Sequence, residues 1–203
     1  LHPSNIHDNP YAVGTMDLTG DQPILLGPDG PSLGGVVCSV TTAKGEMWKL
    51  GQLHPGDKVH FKLLNLEEAE IIRKCHESNL KHEYKEIKMP ERKEEITADY
   101  AILAREHVHD TDIVVRLDGE ENVLVEYGEM ELNIELRFRV HILMEELKKL
   151  NLPIIDLTPG IRSLQVHFNV EKISPIEITE IILKTNRKLK DLKDITVPSR
   201  IVK

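Results

Sequence analysis

The sequence predicts an α+β protein that begins with part of a β-barrel. Three observations support this prediction. The first 65 residues contain short β-rich runs separated by clusters of Gly, Pro, Asp and Asn. An Asp-Gly pair at 118–119 separates two runs of β-branched residues, as in a β-hairpin. After residue 99, strand and helix patterns follow one another in the order ββαββα, which is typical of a layered α+β domain.

Residues 1–65 are predicted to be the partial β-barrel. We expect strands over 23–26, 35–40 and 58–64, with one short helix over 43–53. Trp48 is expected to lie in the core beneath this helix. Three strands cannot close a barrel, so we expect the remaining strands in an upstream part of a longer protein. The lack of an initiator Met at the first residue agrees with that expectation.

Residues 66–98 are predicted to be a charged linker. Glu, Lys, Arg and His dominate this segment. A helix is expected over 67–76, and Pro90 should prevent a continuous helix beyond it. We expect the charged side chains of the segment to face solvent.

Residues 99–194 are predicted to form the ββαββα domain. Strands are expected over 112–117, 122–127, 154–158 and 163–169. One helix is expected over 132–150, and a second should begin at Pro175 after the cap Ser174. Arg162 and Ser163 are expected to serve the turn that follows Pro159-Gly160. Residues 195–203 are expected to begin a further β element.

The composition argues against several classes of function. The net charge of −8 gives no general attraction for nucleic acid or anionic lipid. Two cysteines are too few for a disulfide framework, and no apolar run is long enough to cross a bilayer. We therefore expect a cytoplasmic protein with neither a nucleic-acid partner nor a membrane partner.

The run HDNPY at residues 7–11 carries the first group of candidate site residues. Asn9 can donate to and accept from a small polar ligand, and Asp8 can accept from an NH₂ group, with His7 and Tyr11 beside them. The alternative is that Asp8 and Asn9 form an Asx turn before Pro10. His2 and His7 lack a third convergent ligand, so no metal site is predicted.

A second group of candidates lies between residues 21 and 35. Asp21 and Gln22 offer an acceptor and an amide, although a turn explains them equally well. In GPDGPSLGG, the pair Gly34-Gly35 lets backbone or ligand approach without a Cβ atom in the way. Short polar side chains for contacting a ligand come from Asp29 and Ser32. The run matches neither a P-loop nor a dinucleotide fingerprint.

These runs resemble a known family. HDNPYAVGTMDLTGDQP at 7–23 and the run from GPDGPSLGG to WKLGQLHPGD at 27–57 resemble the carboxyltransferase domain of urea carboxylase, the biotin-dependent half of urea amidolyase. EYGEMELNIELRFRVHILMEEL at 126–147 and TPGIRSLQVHF at 158–168 resemble the other half of the same domain. The resemblance covers nearly the whole chain.

The resemblance implies a cyclophilin-like barrel in the first part and transfer of a carboxyl group from carboxybiotin to urea, which forms allophanate. It implies catalytic roles for Asp8, Asn9 and Asp21. Contacts to substrate or biotin are implied for His7, Tyr11, Gln22, Asp29, Ser32, Gly34 and Gly35. Biotin would arrive on a carrier domain of the same polypeptide, because this chain has no Met-Lys-Met site. A separate biotin carboxylase domain would use ATP, Mg and bicarbonate, so the fragment alone should be inactive.

Two other classes of protein stay open. A 5-oxoprolinase-type or other small-amide carboxylase subunit would keep the same turns but change the polar groups of the cleft. A non-catalytic module like the kinase-inhibitor relatives would act through its second domain on a protein partner. The unbroken run over residues 5–35 favours the urea branch.

Overall fold

The structure is a computed structural model that describes residues 5–84, 86–92 and 95–189, apart from the side chains of Asp8 and Ala98. The further β element expected at 195–203 lies outside the described residues. In the described part, no helix has both the length and the apolar character needed to cross a membrane.

The N-terminal part contains two small antiparallel sheets. In one, β1 (Asn5–Pro10) pairs with β4 (Leu33–Val36). In the other, β2 (Thr15–Thr19) lies between β3 (Gln22–Leu25) and β5 (Cys38–Thr41). The strand expected over 35–40 is therefore split at Val37 between two sheets, and the sequence patterns gave no sign of β1 or β2.

The strand predicted over residues 58–64 is wrong. This segment has no regular structure, and Val59, Phe61 and Leu63 are each about half exposed. A strand needs a neighbour for its backbone N–H and C=O groups. None of the described strands pairs with this segment, so its alternating apolar residues have no sheet to join.

The helix predicted over 43–53 is shorter than expected and does not bury its tryptophan. A 3₁₀ helix at Lys44–Glu46 leads into the single turn α1 (Met47–Leu50). Trp48 is 53% exposed, so its assignment to the core is wrong. Its ring instead stacks on that of His76 at a centroid distance of 6.3 Å.

The segment predicted as a linker contains the helix α2 (Leu66–Leu80), capped by Asn65 and Glu68 in a capping box. The expectation that its charges face solvent is wrong for two residues. Glu68 and Arg73 are 3% and 4% exposed. Each has an ion-pair partner, Arg92 for Glu68 and Glu77 for Arg73, and such pairing offsets the cost of burying a charge.

The C-terminal part is built on a five-stranded antiparallel sheet in the order β6-β7-β8-β10-β9. The strands are β6 (Ile102–Val108), β7 (Thr111–Leu117), β8 (Asn122–Tyr127), β9 (Ile154–Pro159) and β10 (Ser163–Phe168). Helices α3 (Ile134–Lys149) and α4 (Pro175–Asn186) pack on one face. The prediction thus found both helices and four strands but omitted β6.

The core lies between this sheet and its two helices. Inward-facing residues recur at every second position of β8, namely Val123, Val125 and Tyr127, each at most 2% exposed. The helices meet them with residues three or four apart, such as Val140, Leu143 and Leu147 of α3, all fully buried. Among the described residues, both long helices of the C-terminal part lie on this one face of the sheet.

Candidate functional site

The face of the sheet opposite to the helices meets the N-terminal part of the chain. Leu124 on β8, and Ser163 and Gln165 on β10, alternate with the residues that pack on the helices. They are nevertheless only 7%, 2% and 6% exposed. Strand β1 lies against β10 and contributes to this cover. We call the contact of β1, β2 and β5 with β10 and the turn at residues 118–121 the junction.

Two carboxylates lie at the junction. The amide Nε2 of Gln165 donates a hydrogen bond of 2.5 Å to Oδ2 of Asp118. Asp17, which is 7% exposed, accepts from the hydroxyl of Thr19 at 3.3 Å. Burial raises the pKa of Asp118 from 3.8 to about 6, although the bond from Gln165 acts in the opposite direction. The junction therefore holds a carboxyl group that changes its charge near neutral pH.

Cys38 is a half-buried thiol of the same region. Burial, and after it the nearby carboxylates of Asp17 and Asp118, together raise the pKa of this thiol from 9.0 to about 12. A thiol with such a pKa stays protonated at neutral pH and is a poor nucleophile. Cys38 is therefore a packing residue of the junction.

The turn between β7 and β8 packs directly on β5. Gly119 has a φ of +78°, and a Cβ atom there would lie 3.0 Å from Cγ2 of Thr41. Thr41 in turn shares a hydrogen bond of 3.3 Å with the hydroxyl of Thr15 on β2. Glu121, two residues after Gly119, forms an exposed ion pair with Nζ of Lys44. The Asp-Gly pair thus serves both the hairpin and the contact with the N-terminal part.

A cluster of charged residues surrounds the end of β8. Arg162 pairs with Glu126 at 2.6 Å and also donates to the carbonyl oxygens of Tyr127 and Gly128 at 3.4 and 3.2 Å. Arg116 pairs with the second oxygen of Glu126. These bonds give Arg162 a structural role at its turn.

Ser163, the residue that follows, is buried on the same strand as Gln165. In the described part of the chain, its Oγ atom has no hydrogen-bond partner. A buried hydroxyl without a partner is uncommon, because leaving a polar group unsatisfied costs about 1–3 kcal/mol. Ser163 therefore offers an unused hydrogen-bonding group on the strand that forms one wall of the junction.

Four of the predicted site residues lie on or next to β1. Asn9 is half-buried and pairs with Gly34 of β4, while His7 is exposed. The strand that carries them lies against β10, which forms one side of the junction. Tyr11 is buried, and its hydroxyl accepts from the N–H of Val36 at 2.9 Å. The side chain of Asp8 lies outside the described residues.

The glycine pair 34–35 allows protein atoms to approach closely. A Cβ atom on Gly34 would lie 2.5 Å from the hydroxyl oxygen of Tyr11. One on Gly35 would lie 2.9 Å from the carbonyl oxygen of Ile6. The close approach expected of these glycines therefore occurs between β4 and the segment that includes β1.

The other predicted site residues lie in exposed turns. Asp21 and Gln22 close the hairpin of β2 and β3, next to Gly20 with its φ of +62°. Asp29 lies in the turn closed by the bond from Gly30 N–H to Gly27 O at 3.0 Å. Ser32 is exposed, and its carbonyl accepts from the N–H of Tyr11 at 2.9 Å. Their binding roles stay predictions.

A shallow cavity of about 290 Å³ lies elsewhere, between the β6–β7 turn and the start of α3. Three of its lining side chains already have partners within the protein: His107 contacts Asp112 at 2.7 Å, and Arg139 donates to the backbone carbonyl of His109 at 2.7 Å. Across residues 5–84, 86–92 and 95–189, no three His, Cys, Asp or Glu side chains are placed to hold a metal ion. The junction is therefore the better candidate.

Asp17, Asp118 and Gln165 were not identified from the sequence. Asp118 was assigned only to the hairpin, because Asp-Gly is so strong a turn signal. The position of Gln165 within SLQVHF was a usable signal, since a polar residue inside a strand buried on both faces needs a partner. Asp17 carried no local signal, because its burial depends on strands far along the chain.

Two family models match this chain. "Carboxyltransferase domain, subdomain A and B" matches residues 1–63, and "Carboxyltransferase domain, subdomain C and D" matches residues 113–201. The chain is 30% identical over 209 residues to a urea amidolyase of Saccharomyces cerevisiae, with all of the chain covered. It is 26% identical over 229 residues to a putative urea carboxylase of Emericella nidulans, with 98% covered.

Solved structures give the same picture. The crystal structures of the Kluyveromyces lactis urea amidolyase and urea carboxylase superpose on 94% of the chain with TM-scores of 0.81 and 0.82, at 29% identity. The chain spans only 12% and 17% of those two proteins, and 11% of the Saccharomyces relative. The junction joins the two matched segments, because Asp17 and Cys38 come from the first and Asp118 and Gln165 from the second.

Proposed function

The chain belongs to the carboxyltransferase domain family, and we propose that it forms part of a biotin-dependent enzyme that transfers a carboxyl group from carboxybiotin to urea, giving allophanate. The observation that carries the proposal is the junction, where polar groups from both matched segments meet on a buried face. The relatives that match along the whole chain are named urea amidolyase and putative urea carboxylase, which supports urea as the acceptor.

The groups at the junction suit a small amide. Urea presents N–H donors and one carbonyl acceptor. Carboxylates such as Asp118 and Asp17 accept from N–H groups, while the amides of Gln165 and Asn9 can both donate and accept. Holding the acceptor nitrogen in one orientation accelerates transfer, because it removes freedom that would otherwise be lost at the transition state.

The chemistry requires a new N–C bond on the acceptor and release of one of its protons. Carboxybiotin, when bound, would supply the carboxyl group and a ureido nitrogen able to accept the proton that the acceptor loses. The contribution of this chain is to bind and orient the acceptor. In its ionised form Asp118 can hold an acceptor N–H, and it is ionised in most molecules above pH 6, given its pKa of about 6.

The proposal includes partners outside this chain. Biotin would be carried on a carrier domain, and ATP, Mg and bicarbonate would be used by a biotin carboxylase domain of the same polypeptide. The shares of 11% and 18% that the chain covers in its relatives leave room for such domains. Further strands would complete the N-terminal strands as a cyclophilin-like barrel, and the enzyme would be cytoplasmic. We expect the chain alone to be inactive.

The test is ATP hydrolysis by the full-length protein with bicarbonate present, measured with urea, with 5-oxoproline, with acetamide and with no acceptor. We expect stimulation by urea and formation of allophanate. Stimulation by another amide but not by urea would favour a different small-amide carboxylase. The absence of any stimulation, from a protein that still carboxylates its biotin, would favour a non-catalytic module and overturn the proposal.

A further inference from the structure

Three segments meet beside the junction at one buried ion pair. Arg73 of α2 and Glu120 of the β7–β8 turn are 4% and 7% exposed, and Nε of Arg73 lies 3.5 Å from Oε1 of Glu120. The second oxygen of Glu120 accepts a hydrogen bond of 2.7 Å from the backbone N–H of Lys44. Glu120 thus contacts both the N-terminal part and the helix that connects the two parts.

The contact with Lys44 caps a helix from a distant part of the chain. Lys44 is the first residue of the 3₁₀ helix, and the preceding residue Ala43 has no side chain able to cap it. Glu120 supplies the missing acceptor from 76 residues away. A carboxylate at a helix start also interacts favourably with the partial positive charge there.

Gly45 lets α2 approach this helix closely. A Cβ atom on Gly45 would lie 2.9 Å from both N and Cα of Arg73, so any other residue would push α2 away. Because α2 lies so near, the guanidinium of Arg73 reaches Glu120 while its Nη1 atom bonds Glu77 at 2.9 Å. The packing therefore brings a buried positive charge to the carboxylate that joins the two parts.

The ion pair of Arg73 and Glu120 leaves part of its hydrogen-bonding capacity unused. In the described part of the chain, Nε of Arg73 and Oε1 of Glu120 make no hydrogen bond despite their separation of 3.5 Å. A buried charge pair of this kind adds little stability compared with apolar packing. Its cost is more readily explained if it fixes a geometry.

We infer that Glu120 is a positioning residue: by anchoring the β7–β8 turn to Lys44 and Arg73, it sets where Asp118 stands against Asp17 and Cys38. The inference rests on the proposed function for its consequence in catalysis. Asp118 is two residues before Glu120 in the same turn. If the turn were released from the N-terminal part, Asp118 would move away from Asp17 and Cys38. Its hydrogen bond from Gln165 would remain, but the junction would lose its contacts from the N-terminal part.

The test uses Glu120→Ala and Glu120→Gln in the full-length protein, with Glu145→Ala as the control. Glu145 lies on α3 outside the junction and forms a partly exposed ion pair with Lys148, so its loss should change neither activity nor the junction. We expect Glu120→Ala to lower kcat/KM for urea roughly 10- to 100-fold, while biotin carboxylation without urea stays at the wild-type rate. Glu120→Gln keeps an acceptor for Lys44 and should lie between the two.

Comparing the two partial reactions separates positioning from stability. Glu120→Ala should keep the wild-type rate of biotin carboxylation while its kcat/KM for urea falls. Full urea activity of Glu120→Ala would overturn the inference. An equal fall in both activities would also overturn it, because it would indicate a general loss of structure.

Hydrogen exchange provides a measurement that is independent of activity. The N–H of Lys44 should be protected in the wild type and in Glu145→Ala, and should exchange at least about tenfold faster in Glu120→Ala. Equal protection in all three proteins would overturn the anchoring even if urea were the wrong substrate. If urea does not stimulate the wild type but the exchange pattern is as expected, only the proposed function is overturned.

Discussion

Gln165 donates a hydrogen bond of 2.5 Å to the carboxylate of Asp118, and this bond links the middle of β10 to the turn after β7. Gln165 is 6% exposed, on the sheet face opposite to the helices. A buried amide needs a partner, and the Asp-Gly turn provides one. The charge of Asp118 also helps to raise the pKa of the Cys38 thiol. The bond from Gln165 therefore holds in place a carboxyl group that lies near the matched segment at residues 1–63.

The stability of the protein should depend on pH through Asp118. Its folded-state pKa of about 6 lies above its usual value of 3.8, so the folded protein holds this proton more tightly than the unfolded chain. The resulting stabilisation is complete below pH 3.8 and is lost as the pH rises to about 6. Asp118→Asn should remove this pH-dependent loss in the free energy of unfolding, which amounts to at most about 3 kcal/mol.

The measurement is guanidinium unfolding of wild type and Asp118→Asn from pH 4 to pH 7, since urea itself is the proposed substrate. The difference between the two proteins isolates this group from other carboxyls. Asp112→Asn, at an exposed position, should keep the wild-type slope. Parallel profiles for wild type and Asp118→Asn would contradict the prediction.

Cys38 should be slow to alkylate in the folded protein. A pKa of about 12 leaves roughly a thousandfold less thiolate at pH 8 than the ordinary value of 9.0 does. Iodoacetamide labelling followed by mass spectrometry measures this directly. Asp17→Asn should speed labelling at Cys38, because it removes one of the charges that oppose thiolate formation.

The matched control for this measurement is Asp21→Asn, two hairpin positions beyond the end of β2. Asp21 is exposed, and it is not among the groups that raise the pKa of Cys38. Its substitution should leave the labelling rate unchanged. Equal acceleration by both variants would point to general loosening of the N-terminal strands rather than to charge.

Gly34→Ala should destabilise the protein strongly. The new Cβ would lie 2.5 to 2.8 Å from the hydroxyl oxygen and two ring carbons of Tyr11, which is buried and cannot move aside. We expect a loss of about 2–4 kcal/mol in the free energy of unfolding, in the range of severe overpacking. Gly51→Ala is the control, because its Cβ would meet only the carbonyl of Trp48 at 3.7 Å. A similar change in both variants would refute the packing argument.

The sequence predicted the C-terminal sheet better than the N-terminal strands, and the reason is physical. Helices α3 and α4 and the Asp-Gly hairpin are specified locally, by caps, apolar spacing and turn chemistry. By contrast, β1 pairs with β4, which follows two other strands, so no local pattern marks it. The apolar alternation over 58–64 predicted a strand that has no partner among the described residues.

The same distinction applies to the candidate site. Asn9 could be proposed from its amide and its polar neighbours in the sequence, and its role stays a prediction. Asp118 and Gln165 form a site only through a contact between positions 47 residues apart. Arg73 was assigned to solvent because it lies in a charged segment, and its burial results from the space that Gly45 leaves for α2.

Phe61→Ser should barely change the stability of the chain, although the sequence pattern placed Phe61 in a strand. The side chain is 55% exposed, and the expected change is under about 0.5 kcal/mol, with higher solubility. Phe168→Ser is the comparison, since Phe168 is fully buried and should lose about 3–5 kcal/mol. Thermal unfolding of both variants decides the matter, and a large loss for Phe61→Ser would show that residues 58–64 do pack.

Asn9→Ala and Asp21→Ala should differ in their effect on urea turnover by the full-length protein, although the resemblance assigns both to catalysis. Asn9 is half-buried on the strand that lies against β10, so its loss should slow urea-dependent turnover on the order of a hundredfold. Asp21 is exposed in the turn between β2 and β3. Its substitution should lower urea-dependent turnover by less than about threefold. Steady-state kinetics with unfolding as the control separates the outcomes. A hundredfold loss for Asp21→Ala with unchanged stability would mean that the hairpin of β2 and β3 reaches the acceptor, and would move the site from the junction towards that turn.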